Sequence, residues 1–194
     1  MTRWARPAAV LFAAAGTALL GWIALTLVWG EPVTAVQAAR AQRTLRHELA
    51  AAPRATPAQF RANLREGDAL GRITIPRIGL RTVVVEGTSR ADLERGPGHY
   101  PRTPLPGSGG TVAVAGHRTT YLQPFRHIDE LRAGDRIQLD VPYGRFRYAV
   151  TSWKIVGASD WSILRRRPYE QLVLSACHPL YSASHRILVF ARRV

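Results

Sequence analysis

The sequence predicts a mainly β fold: a closed or nearly closed β-barrel of short strands, preceded by a transmembrane helix and a helical linker. Three observations predict it. Residues 8 to 30 carry no charge. From residue 71 onward, short runs rich in β-branched and aromatic residues alternate with Gly/Pro turns. No βαβ rhythm of about 30 residues interrupts them, which argues against a doubly wound parallel sheet.

The uncharged run AAVLFAAAGTALLGWIALTLVWG has the length a helix needs to cross a hydrocarbon core, near 20 residues. Trp4 and Trp29 are placed to meet the two interfaces, with Trp22 between them. A cleavable signal peptide is the rival reading. It would be shorter and end in small residues, whereas this run ends Val28-Trp29-Gly30-Glu31-Pro32. An uncleaved anchor is therefore expected over 8–30, behind a cytoplasmic tail of residues 1–7. Arg3, Arg6 and the terminal amine favour a cytoplasmic N-terminus; Arg40, Arg43 and Arg46 on the other side weaken that bias.

Residues 31–67 read as a helical stalk or linker. The stretch 33–52 is alanine-rich without proline or glycine, and its apolar stripe (Val36, Leu45, Leu49) is thin, so a solvated stalk is expected. On that reading a chain beginning at Ala55 is soluble and active on free peptide. Pro53 ends the stretch. Thr56-Pro57-Ala58-Gln59 is a capping-box pattern with proline at the first helical position. It predicts a short helix with Phe60 and Leu64 on one face, closed by Gly67.

Strands are predicted at 71–75, 81–87, 111–116, 135–141, 146–156, 171–176 and 186–192, with a helical turn or short helix within 122–131. A folded part of about 125 residues is long enough to bury a core without disulfides or metals. Formal net charge is +14, and Lys154 is the only lysine among many arginines. The arginines are scattered, densest at Arg165-Arg166-Arg167, with no aromatic interleaving, so no nucleic-acid partner is expected. A basic face toward anionic lipid or cell-wall polymer fits an anchored protein. Coding bias, with alanine and arginine abundant together and lysine almost absent, is the bland reading and explains most of the charge.

The chain holds one cysteine, Cys177, at the end of the run QLVLSACHP. It has no internal disulfide partner, and an exposed thiol outside the cytoplasm is a liability unless its reactivity is used. The inert reading is a buried core cysteine. His117 follows the apolar run TVAVAG and is the best placed of six histidines; His178 adjoins the cysteine, but strand alternation turns it to the other face. Arg186 opens the next apolar strand, nine residues past Cys177, and a hairpin of that length returns it beside the cysteine. Nucleophile, base and fixed cation at strand ends make an acyl-transfer site. Arg118 and Arg192 compete for the cation's role. No Cys pair or His/Asp/Glu spacing supports a metal, and no cofactor motif is present.

Taken together, GRITIPRIGLRTVVVEGT, LERGPGHYPRTPLPGSGGTVAVAGHRTTYLQPFRHIDELRAGDRIQL, LVLSACHP and the final arginine strand resemble a sortase over residues 68–194. GHRTT and CHP are most similar to class E sortases of high-GC Gram-positive bacteria. The resemblance implies a closed eight-stranded barrel and a single-pass membrane-anchored cysteine transpeptidase with its catalytic domain extracellular. It implies Cys177 as nucleophile, His117 as acid/base and Arg186 as carbonyl stabiliser, with Arg118, Tyr121 and Ala176 expected at the substrate site. It further implies cleavage of an LPXTG- or LAXTG-type sorting signal after threonine. The partners would be sorting-signal-bearing surface proteins and an amine of a lipid-linked peptidoglycan precursor or a pilin. Two positions depart from the family pattern: Ala176 stands where threonine is usual, and Gly109-Gly110 replaces a common Gly-Asn. An L,D-type cysteine transpeptidase is a second reading, although Ser175-Ala176-Cys177 lacks the glycine of that motif. A membrane-anchored β-barrel binding module with an inert thiol is the non-enzymatic one.

Overall fold

The computed structural model describes residues 5–29, 32–160, 165 and 167–194. The tail before Ala5, the Gly30-Glu31 junction and Arg166 of the arginine run lie outside the described residues. Eight strands close into one barrel: β1 (Ala69–Ile75), β2 (Leu80–Glu86), β3 (Gly98–His99), β4 (Thr111–Ala115), β5 (Arg136–Val141), β6 (Gly144–Gly157), β7 (Gln171–His178) and β8 (His185–Arg193). They run in the order β1-β2-β3-β4-β7-β8-β6-β5, and β5 pairs back onto β1. Most pairs are antiparallel; β2–β3 and β4–β7 are parallel. The seven predicted strands are all present. The two-residue β3 is the one the sequence hid, and it bridges β2 to β4.

Alternation decides what fills the barrel. Ile73, Ile75, Val112, Val114, Leu139, Tyr148, Leu172, Leu174, Ile187 and Val189 point inward and form one cluster, joined by Phe125, Ile128 and Leu131 from the β4–β5 connection. Only one short turn there is helical, at Ile128–Glu130. Closure gives every strand a neighbour on both sides, although the two-residue β3 leaves part of β2 without a ladder partner. One end of the barrel is pinned by Glu170. Its carboxylate accepts from Gly107 and Gly109 backbone N–H groups, from the Tyr148 hydroxyl at 2.7 Å and from Arg193. Burial and this carboxylate push the Tyr148 phenol far above its ordinary range. Gly109 and Gly110 both have left-handed φ, 77° and 75°. Asparagine also tolerates that region, so the glycine in place of the usual asparagine keeps the turn.

Among the described residues, four α-helices precede or interrupt the sheet: α1 (Ala5–Trp29), α2 (Pro32–Ala51), α3 (Pro57–Asn63) and α4 (Arg90–Arg95). Within α1, the segment Pro7–Leu25 is long and apolar enough to cross a membrane, and none of it is buried. The capping box of α3 forms as its sequence predicts: Gln59 N–H donates to Thr56 Oγ1, and Thr56 N–H donates to Gln59 Oε1 at 3.0 Å. The same device, Ser89 with Asp92, starts the α4 that the sequence reading passed over.

The solvated-stalk expectation for 33–52 fails. Helix α2 lies on the outside of the barrel, with Ala38 and Leu45 buried and Leu45 packed on Val83 and Val85 of β2. Gln42 is buried too and fully used. Its Nε2 donates to the Val83 and Arg95 carbonyls, and its Oε1 accepts from Thr82 Oγ1 and Val83 N–H. The apolar stripe looked thin because a polar glutamine occupies its middle. It satisfies backbone groups of the β2 edge instead of supplying apolar area.

Candidate active site

Two strand ladders bring the chemistry together. β4 and β7 run parallel, with Ala115 beside Ser175, and two residues further along each chain stand His117 and Cys177. The parallel ladder continues past Ala115, where Gly116 N–H donates to the Ser175 carbonyl at 3.0 Å. β7 and β8 run antiparallel, with Cys177 directly opposite Arg186. Alternation sets the face. Val112, Val114, Leu174, Ala176 and Ile187 are inside the barrel, whereas Ala113, Val173 and Leu188 form a separate cluster on the outer face with Tyr100. His117, Cys177 and Arg186 follow the outer set.

On that face a cleft of about 910 Å³ is lined by His117, Cys177 and Arg186, with Tyr100, Ser175, Asp160 and Leu188 among its other walls. Cys177 is half-buried and unpaired as a thiol. Arg186 donates through Nη1 to the carbonyls of Ala183 and His185, 3.0 Å each. Its Nε and Nη2 make no hydrogen bond among the described residues, which leaves donors for a carbonyl in the cleft. The buried Nε2 of His117 has no hydrogen-bond partner among the described residues. Burial holds this imidazole below its ordinary 6.5, against an opposing pull from the Glu94 carboxylate. It is therefore neutral near pH 7 and available as a proton acceptor. Burial pushes the Tyr100 phenol up, opposed by Ser175 and by the nearby Arg186 cation.

Gly116 explains how His117 is presented. A Cβ there would come within 2.5 Å of the Phe125 ring, so the loop after β4 can fold back over the strand only if this residue is glycine. Phe125 N–H then donates to the His117 carbonyl at 2.9 Å.

The other predicted residues are placed differently. Arg118 is 2% exposed and is not among the cleft walls, although its Nη1 lies 3.5 Å from the Cys177 carbonyl. Its guanidinium donates to the Arg126 carbonyl, pairs with Asp129 at 2.8 Å and reaches His178 Nδ1 at 3.4 Å. Its guanidinium is therefore taken up by the loop after β4 and by His178. Tyr121 is not a cleft wall; its ring packs on the His117 imidazole with centroids 5.2 Å apart. Ala176 borders the cleft but lies in the interior cluster, only 3% exposed. A methyl group suits that apolar setting, so its replacement of threonine leaves no buried hydroxyl to satisfy. Arg192 pairs with Gln171 at the far end of the two strands, which removes it as a competitor for Arg186. Tyr100 and Ser175 are cleft residues the sequence reading missed; Ser175 was signalled by its position two before the cysteine. Among the described residues, no three His, Cys, Asp or Glu side chains gather as a metal site.

Comparison with known proteins bears on this geometry. Residues 73–194 match the family model described as the Sortase domain. Sortase D of Bacillus subtilis is 37% identical over 132 residues, covering 66% of this chain and 65% of that protein. Sortase SrtE1 of Streptomyces coelicolor is 27% identical over 200 residues, covering 95% of this chain and 55% of that protein. The chain thus spans less than two thirds of the length of either relative. The solved Sortase D5 transpeptidase of Clostridium perfringens superposes with a TM-score of 0.71 at 24% identity, over 82% of this chain and 99% of that one, which shows a shared fold.

Proposed function

The chain belongs to the sortase family, and on that premise we propose that it is a membrane-anchored cysteine transpeptidase of class E type. Family membership decides between the two transpeptidase readings of the cysteine. The single observation that carries the mechanism is the convergence of Cys177, His117 and Arg186 in one outer-face cleft, fixed by two independent strand registers.

His117 takes the proton of the Cys177 thiol, and Sγ attacks the carbonyl carbon of the substrate threonine. Negative charge collects on the carbonyl oxygen, and the free donors of Arg186 stabilise it in fork geometry. Protonated His117 delivers its proton to the departing amide nitrogen, the peptide bond breaks and a thioester forms. An acceptor amine then attacks the thioester with His117 taking its proton; C–N forms, C–S breaks and the thiol is restored. The substrate proposed is a surface protein ending in an LPXTG- or LAXTG-type signal, cut after threonine. The acceptor proposed is an amine of a lipid-linked peptidoglycan precursor or of a pilin subunit. Helix α1 is proposed as the single-pass anchor, with the N-terminus cytoplasmic and the barrel outside.

The test is mass spectrometry of the full chain in detergent after incubation with LAETG- and LPETG-type peptides and an amine. A mass increase matching the acyl peptide, lost in Cys177→Ala and released by the amine, is the expected result. An adduct that persists in Cys177→Ala would overturn the nucleophile; no adduct and no turnover with any signal peptide would overturn the transpeptidase reading.

A further inference from the structure

The loop that carries His117 has an unusual backbone. Tyr121, Leu122 and Gln123 take left-handed φ values of 51°, 64° and 49° in succession. For residues with a Cβ this region is costly, and consecutive visits are rare. Such a stretch persists only where its surroundings hold it. Within the loop, Gln123 N–H donates to the Thr120 carbonyl and Phe125 N–H to that of His117. One tie comes from another element: the Tyr121 N–H donates to Thr34 Oγ1 at 3.3 Å. Thr34 lies in the first turn of α2, the helix that directly follows the apolar helix α1.

Each neighbour of that tie is itself fixed. α2 is locked to β2 by Leu45 and by the four hydrogen bonds of Gln42, one of which reaches the Arg95 carbonyl at the end of α4. From α4, Glu94 and Arg90, an ion pair at 3.0 Å, act on the Tyr121 phenol, with the Glu94 carboxylate pushing it up, and Glu94 also acts on the His117 imidazole. The Tyr121 ring lies against the His117 imidazole, tilted by 34°. Facing the imidazole are therefore the Tyr121 ring, the Glu94–Arg90 pair of α4, and the cleft with Cys177 and Arg186.

We infer that Tyr121 is a positioning residue for His117, and that Thr34 on the helix beside the membrane anchor holds Tyr121 in place. The linker helix is on this reading part of the catalytic support. The inference rests on the proposal that His117 is the acid/base. It gives α2 a reason to be packed rather than solvated: displacement of its first turn reaches His117 through one hydrogen bond and one ring contact. Misplacing a proton-transfer group by about 1 Å costs on the order of a hundredfold in rate.

The experiment uses the full chain in detergent micelles with Thr34→Val, Thr34→Ser and Tyr121→Ala. Readouts are kcat and KM on a signal peptide across pH, and the titration of the His117 ring by NMR, assigned with His117→Gln. Thr34→Val keeps volume and removes the acceptor; kcat should fall about 5–10-fold, as expected for one ordinary hydrogen bond. KM should hold and the His117 titration should move. Thr34→Ser should restore both to within about twofold, since the acceptor oxygen returns. Tyr121→Ala should lose roughly 10–100-fold in kcat with a larger shift of the same titration. If the His117 titration is unchanged in both Thr34→Val and Tyr121→Ala, the positioning role is overturned. That readout is independent of turnover, so it stands apart from the catalytic reading, which fails separately if His117→Gln remains active.

Discussion

At the scale of single residues, strand parity separates the proposed acid/base histidine from its neighbour. His117 and His178 both sit beside Cys177 in the chain's packing, yet His178 is turned toward Arg118 and away from the cleft. His117→Ala should lose about 10²–10⁴-fold in kcat/KM, the usual worth of a proton-transfer group. Arg186→Ala should lose roughly 10²–10³-fold, and Arg186→Lys should recover only part, because an ammonium lacks the planar fork. His178→Ala should stay within about tenfold of the parent, since it gives up no proton-transfer step. Steady-state kinetics on a quenched signal peptide, with circular dichroism to confirm folding, checks the set; a dead His178 variant beside an active His117 variant would reverse the assignment. The depressed His117 also makes a stability prediction. The unfolded chain binds a proton at this residue more readily than the folded one, so stability rises with pH there. His117 imposes no penalty well above its ordinary 6.5, and the folded state loses stability as pH falls below it. Thermal unfolding followed from pH 7.5 to 5 should therefore drop more steeply for the parent than for His117→Gln. Coincident slopes would show that burial does not perturb the imidazole.

At the scale of elements, α2 is where the sequence reading went furthest astray. Leu45 is fully buried against Val83 and Val85, so Leu45→Ala should cost about 2–5 kcal/mol in denaturant unfolding of the full chain. A chain beginning at Ala55 would leave Val83, Val85 and the β2 backbone partners of Gln42 uncovered. It should aggregate or unfold at lower temperature, whereas one beginning at Pro32 should keep the barrel; size exclusion and melting of the two settle the matter. What could be read in advance follows from how each signal is written. The long strands announced themselves by β-branched runs, and the α3 cap by Thr56 and Gln59. β3 has only Gly98 and His99, too short for any period. α4 was hidden by its length, although Ser89-x-x-Asp92 marks its start. The convergence of Cys177, His117 and Arg186 was legible because each ends or opens an apolar strand. The placement of Arg118 and Tyr121 was not, since burial and ring contact depend on how the loop after β4 folds over Gly116.

At the scale of the whole molecule, the closed barrel and the apolar helix meet in a question of sidedness that the chain is equipped to answer. A charge rule cannot answer it: Arg3 and Arg6 precede the apolar stretch, and Arg40, Arg43 and Arg46 follow it. The proposed chemistry can, because a transpeptidase acting on surface proteins has to work outside the cytoplasm. Cys177 is the only thiol in the chain, it is half-buried at a cleft open to solvent, and the closed barrel keeps it on the outer wall. One residue therefore serves as both proposed nucleophile and topology reporter. In intact cells expressing the full chain, a membrane-impermeant maleimide should label the protein as completely as it does after lysis, and Cys177→Ala should abolish the label. Pre-incubation with a signal peptide should slow labelling, since the acylated sulfur cannot react. The protein should also stay with the membrane through alkaline carbonate washing, as a spanning helix does and a peripheral protein does not. Labelling that appears only after lysis would place the barrel in the cytoplasm and remove the proposed substrates, and release by carbonate would remove the anchor.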